Sequence, residues 1–258
     1  MDTGLAGKRA LIAGGASGIG LAIALALKEE GAVVAAVDRT PVDDTYAILG
    51  LEIELGDEHA SVRAVREAIG LLGGLDLLVY SAAEAHHEPT TRLTVDAWRT
   101  TLDSNLSACV WTCREAARWM IDEGGGSILV IGSTSLSTPS AEEAAYRASK
   151  AALRAYSQVL ALELAPFALR VNLLTPGAFQ TPLTKGMGPQ RRQVLLQEIP
   201  LGREGATDEL CATALLLLSD QLSPYTTGAE FVVDGGLSLR PMSFYGREEL
   251  RRLNRPTD

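Results

Sequence analysis

Short runs of apolar residues recur along this chain, and most are followed by a longer segment with a polar face. The runs RALIAG (9–14), AVVAAVD (32–38), LDLLVY (75–80), SILVIG (127–132), LRVNLL (169–174) and AEFVV (229–233) are continuous, and a shorter one lies at LEIEL (51–55). Continuous runs of this length predict strands buried on both faces. Residues 19–30, 58–71, 95–121, 141–164 and 208–219 have helical length and spacing. Strand and helix in alternation predict an α/β fold, a parallel sheet with helices on both faces. No Pro- or Ser-rich linker divides the chain, so residues 1–258 read as one domain. The longest apolar helix, LCATALLLLS (210–219), is too short to span a membrane. Residues 1–7 lack the basic-then-apolar pattern of a signal peptide.

Two segments depart from the alternation. Residues 179–199 carry Pro182, Gly186, Gly188 and Pro189 between sheet elements, and a loop of that length predicts a lid over about 178–200. The tail, about 238–258, ends in GREELRRLNRPTD and reads as a solvated terminus.

The 258 residues are 47% apolar, ordinary for a folded globular chain, and carry a formal charge of −9. Such a chain lacks the basic field that nucleic acid requires, so no such partner is expected. Cys109, Cys113 and Cys211 are odd in number and fall in helix-like stretches, which points to a reducing, cytoplasmic setting. Cys109 and Cys113 have no second ligand pair nearby, so buried side chains are expected there rather than a metal site.

The first apolar run leads into AGGASGIG, which places Gly14, Gly18 and Gly20 between a strand and a helix. The spacing is looser than the tight dinucleotide fingerprint, but the demand is the same: glycines permit a sharp turn, and the helix N-terminus receives a pyrophosphate. A structural turn alone explains the glycines equally well. Asp38 sharpens the reading, because it closes the second strand twenty residues after Gly18. A carboxylate there accepts both hydroxyls of an adenosine ribose and repels a 2′-phosphate. Ser17, Arg39 and Thr40 supply a single basic group nearby, so the expected cofactor is NAD rather than NADP.

AYRASK (145–150) sets Tyr146 one helical turn before Lys150, on the same face. A free tyrosine titrates near pH ~10, and a neighbouring ammonium favours its phenolate and brings it toward acid–base range. Ser140 and Glu143 have capping-box spacing and predict a helix start between them. Taken alone, a Tyr/Lys pair is common on solvated helix faces. Ser133, at the end of the 127–132 run, falls at the carboxyl edge of a parallel sheet, where ligands bind. Asn105 interrupts the 95–121 helix with a poor helix former, which predicts a kink or a polar role.

Together these pieces resemble the short-chain dehydrogenase/reductase family over residues 8–237, nearly the whole chain. The matching residues are Gly14, Gly18, Ile19 and Gly20, Asn105, Ser133, the run Tyr146 to Lys150, Pro176-Gly177, Thr181 and VDGG (233–236). The resemblance implies a doubly wound, Rossmann-like, seven-stranded sheet. It also implies reversible hydride transfer between a nicotinamide and a secondary alcohol or its ketone, without a metal. On that basis Tyr146 donates or removes the substrate proton. Lys150 lowers the tyrosine's pKa and bonds the nicotinamide ribose. Ser133 bonds the substrate oxygen, and Asn105 holds a water that links Lys150 to solvent. The resemblance places Gly14, Ser17, Gly18, Ile19, Gly20, Asp38, Glu54, Leu55, Ser81, Ala82, Tyr146, Lys150, Pro176, Gly177 and Thr181 around the cofactor. It implies a homo-oligomer, a tetramer or dimer, joined through the 95–121 and 141–164 helices.

The chain departs from the family pattern after the fourth run, where Tyr80-Ser81-Ala82-Ala83 replaces Asn-Asn-Ala-Gly. Tyr80 lacks the amide that braces the central strands, and Ala83 restricts a position that glycine leaves free. The loop threonine is Ala13, and the acidic residue near the adenine is Glu54.

For the substrate, His86, His87 and Glu88 are pocket candidates or a solvated loop. Lys185, Arg191 and Arg192 are candidates to attract a carboxylate or phosphate, or they simply stand in water. Phe179, Met187, Phe244 and Tyr245 are candidates for apolar contacts. The leading expectation is an NAD-dependent oxidoreductase of a secondary alcohol. The alternatives are an NADP-dependent 3-oxoacyl-type reductase of the same family and a non-catalytic NAD-binding regulator.

Overall fold

A computed structural model describes residues 2–136 and 140–239. Most of the tail, with Phe244 and Tyr245, lies outside the described residues. Six of the predicted apolar runs form strands and the 51–55 run overlaps a seventh that starts two residues earlier: β1 (Arg9–Ala13), β2 (Val33–Asp38), β3 (Leu49–Glu52), β4 (Leu77–Tyr80), β5 (Gly126–Ile131), β6 (Leu169–Pro176) and β7 (Glu230–Val233). They pair in parallel in the order β3-β2-β1-β4-β5-β6-β7. The fold is the expected doubly wound, Rossmann-like α/β sheet.

The continuous apolar runs follow from burial on both faces. Leu11, Ala13, Leu78, Tyr80, Ile128 and Val130 face one layer, made by α2 (Glu58–Leu72), α4 (Ala108–Asp122) and α5 (Ala144–Leu164). Their neighbours Ala10, Ile12, Leu77, Val79, Leu129 and Ile131 face α1 (Gly18–Glu29) and α7 (Cys211–Leu218). Local chemistry sets the helix ends. Asp57 caps α2 by accepting the Ala60 amide at 2.7 Å, and Gly73 ends it at φ 70. Among the described residues no helix is long and apolar enough to cross a membrane.

One helical expectation, the kink at Asn105, takes a definite form and another is corrected. The 95–121 helix is split into α3 (Val95–Leu102) and α4 by a π-turn at Asp103–Ser107, centred on Asn105. The expected helix start at Ser140 does not form: α5 begins at Ala144, with Glu143 as its N-cap and no side-chain capping bond. The reason is Glu142, whose φ of 67 is left-handed and incompatible with a helix running through it. In the 179–199 segment, a short 3-10 turn (Pro182–Thr184) leads to α6 (Pro189–Glu198), which opens on a proline.

At the amino end of β6, Arg170 is only 8% exposed. It donates to the carbonyls of Leu217 and Leu218 at 2.8 and 3.0 Å and to Asp220 at 2.9 Å. A guanidinium on the last carbonyls of α7 satisfies groups that the helix leaves unpaired. Arg170→Ala is therefore expected to lower unfolding stability by about 3 kcal/mol, read by urea denaturation. KM should not change, because the residue lies at the end of the sheet opposite the ligand edge.

Candidate active site

Because the strands are parallel, β1, β4, β5 and β6 all end on one edge. The order reverses direction between β1 and β4, which is where open α/β sheets bind ligands. A cavity of about 1030 Å³ opens there. Every catalytic and cofactor residue predicted from the sequence lies on its wall except Gly20 and Asn105. Gly20 sits beneath it, since a Cβ at that position would meet the Gly14 carbonyl oxygen at 2.0 Å.

The cofactor half is built for close backbone approach. Gly14 has φ +79, and a Cβ there would come within 2.5 Å of the Ala82 amide. Ser17 precedes α1 but makes no side-chain capping bond, which leaves the first amides of the helix for a ligand. At the other end Asp38 closes β2. Its carboxylate accepts the Ala16 amide at 3.1 Å and the Thr40 amide and hydroxyl at 3.2 Å, tying the glycine loop to the strand end. Arg39, the cation beside it, lies 3.6 Å from Glu84. A glycine cradle, a free helix N-terminus and an exposed-edge carboxylate together fit a dinucleotide. Gly177 forms the floor near β6, where a Cβ would come within 2.6 Å of Asp234. Asp234 in turn holds the turn after β7 by accepting the Gly236 and Ser238 amides. Ala83, feared as a restriction, is not among the described non-glycine residues with positive φ, so its methyl group costs no backbone strain.

Ser133, Tyr146 and Lys150 meet on the opposite wall. Lys150 is 2% exposed and donates to the Ile131 carbonyl at 2.9 Å. Burial lowers its pKa from 10.5 to about 8. Its ammonium lies 5.8 Å from the centre of the Tyr146 ring. Burial raises the Tyr146 pKa, the hydrogen bond to Ser133 works against that rise, and the Glu143 charge adds to it. The expected lowering of the tyrosine by Lys150 is thus not among the effects that shift it in the protein by itself. Burial moves Lys150 toward its neutral form only above about pH 8, and the carboxylate of Glu143 acts on the phenol in the opposite sense to the ammonium.

Asn105 lies behind the wall, fully buried. Its side-chain oxygen accepts the Glu84 amide at 2.7 Å, while its NH₂ group donates to the Glu84 carbonyl at 2.9 Å and the Ser149 hydroxyl at 3.0 Å. The Ser149 hydroxyl in turn donates a hydrogen bond to the Tyr146 carbonyl at 2.7 Å. Sequence reasoning named Asn105 but missed Glu84, Ser149 and Glu143. Glu143 carries a signal, three residues before Tyr146, but its spacing from Ser140 points equally to a helix cap that does not form. The lid arginines are already partnered, Arg191 lying 3.3 Å from Glu142 and Arg192 3.3 Å from Glu204, whereas Lys185 makes no ion pair among the described residues. Of the polar candidates after β4, His87 lines the cavity, 3.9 Å from Glu143. His86 turns toward Thr101 at 3.1 Å.

Comparison with known proteins identifies the family to which this fold belongs. The profile of the family described as enoyl-(acyl carrier protein) reductase matches residues 14–238. L-xylulose reductase of Bos taurus is 36% identical over 242 residues, covering 92% of this chain and 98% of that protein. D-threitol dehydrogenase of Mycolicibacterium smegmatis is 36% identical over 251 residues, covering 93% and 96%. The 3-oxoacyl-[acyl-carrier-protein] reductase of Chlamydia pneumoniae is 33% identical over 249 residues, covering 92% and 100%. Among solved structures, a short-chain type dehydrogenase/reductase of Mycobacterium marinum superposes with a TM-score of 0.83 at 34% identity, covering 90% of this chain and 96% of that one. A gluconate 5-dehydrogenase of Burkholderia cenocepacia, in complex with NADP and tartrate, gives 0.84 at 28% identity, covering 92% and 97%. The chain belongs to the short-chain dehydrogenase/reductase family, and it is an oxidoreductase of that family acting on CH–OH groups.

The buried lysine has a consequence for stability. Its folded pKa of about 8 lies below the ordinary 10.5, so the unfolded chain holds the proton more tightly. Below the folded value the charge is buried at a cost on the order of 3 kcal/mol, and that cost is relieved as pH rises through the window between the two values. Lys150→Met is expected to be inactive yet more stable than the parent at pH ~7, with the gap closing toward pH ~10. Melting temperatures of both proteins across that range check it. A variant less stable throughout contradicts it.

Proposed function

We propose that this protein interconverts a secondary alcohol and its ketone with NAD, using Tyr146, Ser133 and Lys150 as the reacting wall. The observation that carries the reading is their convergence on a cavity whose far end is marked by Asp38. When bound, the nicotinamide supplies or takes up the hydride. Ser133 donates a hydrogen bond to the substrate oxygen and holds it beside the Tyr146 phenol. In reduction Tyr146 gives its proton to that oxygen, and in oxidation it removes one. The Lys150 charge favours the phenolate during transfer, and its ammonium would bond a ribose hydroxyl of the cofactor. The segment 178–200 acts as a lid that limits water, with Phe179, Leu183 and Met187 on its inner side.

The cofactor reading rests on Asp38. Its carboxylate bonds ribose hydroxyls and repels a 2′-phosphate, and the nearest cation, Arg39, is turned to Glu84. For the substrate we favour a small, neutral, hydroxylated ketone or alcohol, as the names of the xylulose and threitol relatives suggest. Glu143 and His87 offer hydroxyl partners beside Tyr146. A 3-oxoacyl reductase is the second reading, favoured by the Chlamydia relative. Against it, two of the three lid cations, Arg191 and Arg192, are ion-paired within the chain. We further propose one domain and a homo-oligomer through α4 and α5, since α5 exposes Val159 and Leu162 at 52% and 78%.

Activity with NAD(H) and NADP(H) across ketoses, polyols, hydroxy acids and 3-oxoacyl thioesters tests this. We expect a clear preference for NAD and for the neutral hydroxylated compounds, and NADP preference would remove the reading of Asp38. Tyr146→Phe is expected to lose about 10²-fold or more in kcat while still binding NADH. Full turnover in that variant would remove Tyr146 as the proton donor.

A further inference from the structure

Tyr80 replaces an asparagine of the family pattern, and the reaction scheme above gives it no task. Its side chain is 1% exposed and faces the layer of α2, α4 and α5. A buried phenol must find an acceptor for its hydroxyl. It finds the carbonyl of Ser104 at 2.6 Å. Burial pushes the Tyr80 phenol well above its ordinary range, so the group stays a neutral donor.

That acceptor has a particular history. In an unbroken α-helix the Ala108 amide would bond the carbonyl four residues back, that of Ser104. Here the Ala108 amide goes five back, to Asp103. The π-turn thus takes this amide away from the Ser104 carbonyl, and the Tyr80 hydroxyl supplies a donor from the end of β4. The next residue is Asn105, whose NH₂ group bonds Ser149, which donates to the Tyr146 carbonyl. A single line of bonded groups and one peptide link runs from β4, through the π-turn, to the backbone of the reacting tyrosine.

We propose that Tyr80 is a positioning residue: its hydroxyl fixes the register of the π-turn and, through Asn105 and Ser149, the placement of Tyr146 on the cavity wall. Tyr80 itself does not line the cavity. The proposal rests on the reading of Tyr146 as the proton-transferring group.

Tyr80→Phe keeps the ring and removes only the O–H. The test compares the full-length protein, Tyr80→Phe, Ser149→Ala and the double variant in kcat, KM and NADH affinity. We expect kcat to fall about tenfold in Tyr80→Phe, with KM and NADH affinity held within about twofold, the pattern of a lost transition-state contact. Ser149→Ala should lose a similar amount, and the double variant no more than the worse single one, because both break the same line. Unchanged kcat, additive losses, or a fall in NADH affinity matching the fall in kcat would overturn the proposal. So would a Tyr80→Phe chain that fails to fold, since the hydroxyl would then serve the whole fold. A parent protein that turns over no alcohol or ketone would remove the reading of Tyr146 first, and is recognised before any variant is made.

Discussion

The Lys150 ammonium donates to the carbonyl of Ile131, the last residue of β5, and among the described residues no carboxylate pairs with it. A buried charge with one carbonyl for company costs stability, which its lowered pKa records. The surrounding structure keeps it in place regardless. β5 brings the carbonyl to the sheet edge, α5 carries the lysine and Tyr146 one turn apart, and Ser133 follows two residues after the strand. Perturbed buried groups of this kind cluster at functional sites, and the cavity lies directly against this one.

The two ends of the sheet divide the work. At the amino end of β6, Arg170 joins strand, helix and loop through neutral carbonyls and Asp220. Those bonds tie the strand to the end of α7 and the loop after it. At the carboxyl end the strands stop at glycines and short polar residues, and the backbone approaches closely enough that side chains would collide, as at Gly14 and Gly177. Openness there is specified by sequence as firmly as packing is at the other end. The helix behind the reacting wall follows the same logic: the π-turn gives up regular pairing to aim Asn105 inward, and Tyr80 from β4 offsets the loss.

The central strands were legible because burial on both faces leaves continuous apolar runs; the edge strand β3 (Leu49–Glu52) is largely exposed and begins two residues before the 51–55 run, so its position was read only roughly. The glycine loop, Asp38 and the Tyr146/Lys150 pair were legible because local spacing carries their geometry. The π-turn was only half visible: Asn105 marked a weak helical position, but the change of pairing depends on tertiary partners in Glu84, Ser149 and Tyr80. The capping box at Ser140 and Glu143 misled because pattern alone does not reveal the left-handed Glu142 between them. Tyr80 read as the loss of a brace. Its actual bond reaches 24 residues along the chain, where no local pattern could signal it.

The central claim, that a hydride passes between NAD and a carbinol carbon held against Tyr146 and Ser133, is most directly tested with isotope. The protein is incubated with NADH deuterated at both C4 positions and a neutral ketose, and the product alcohol is examined by NMR. Deuterium on the new carbinol carbon is the predicted result. A carbinol hydrogen drawn from solvent, or bound NADH that keeps its label while no ketose or simple ketone is reduced, would contradict the account.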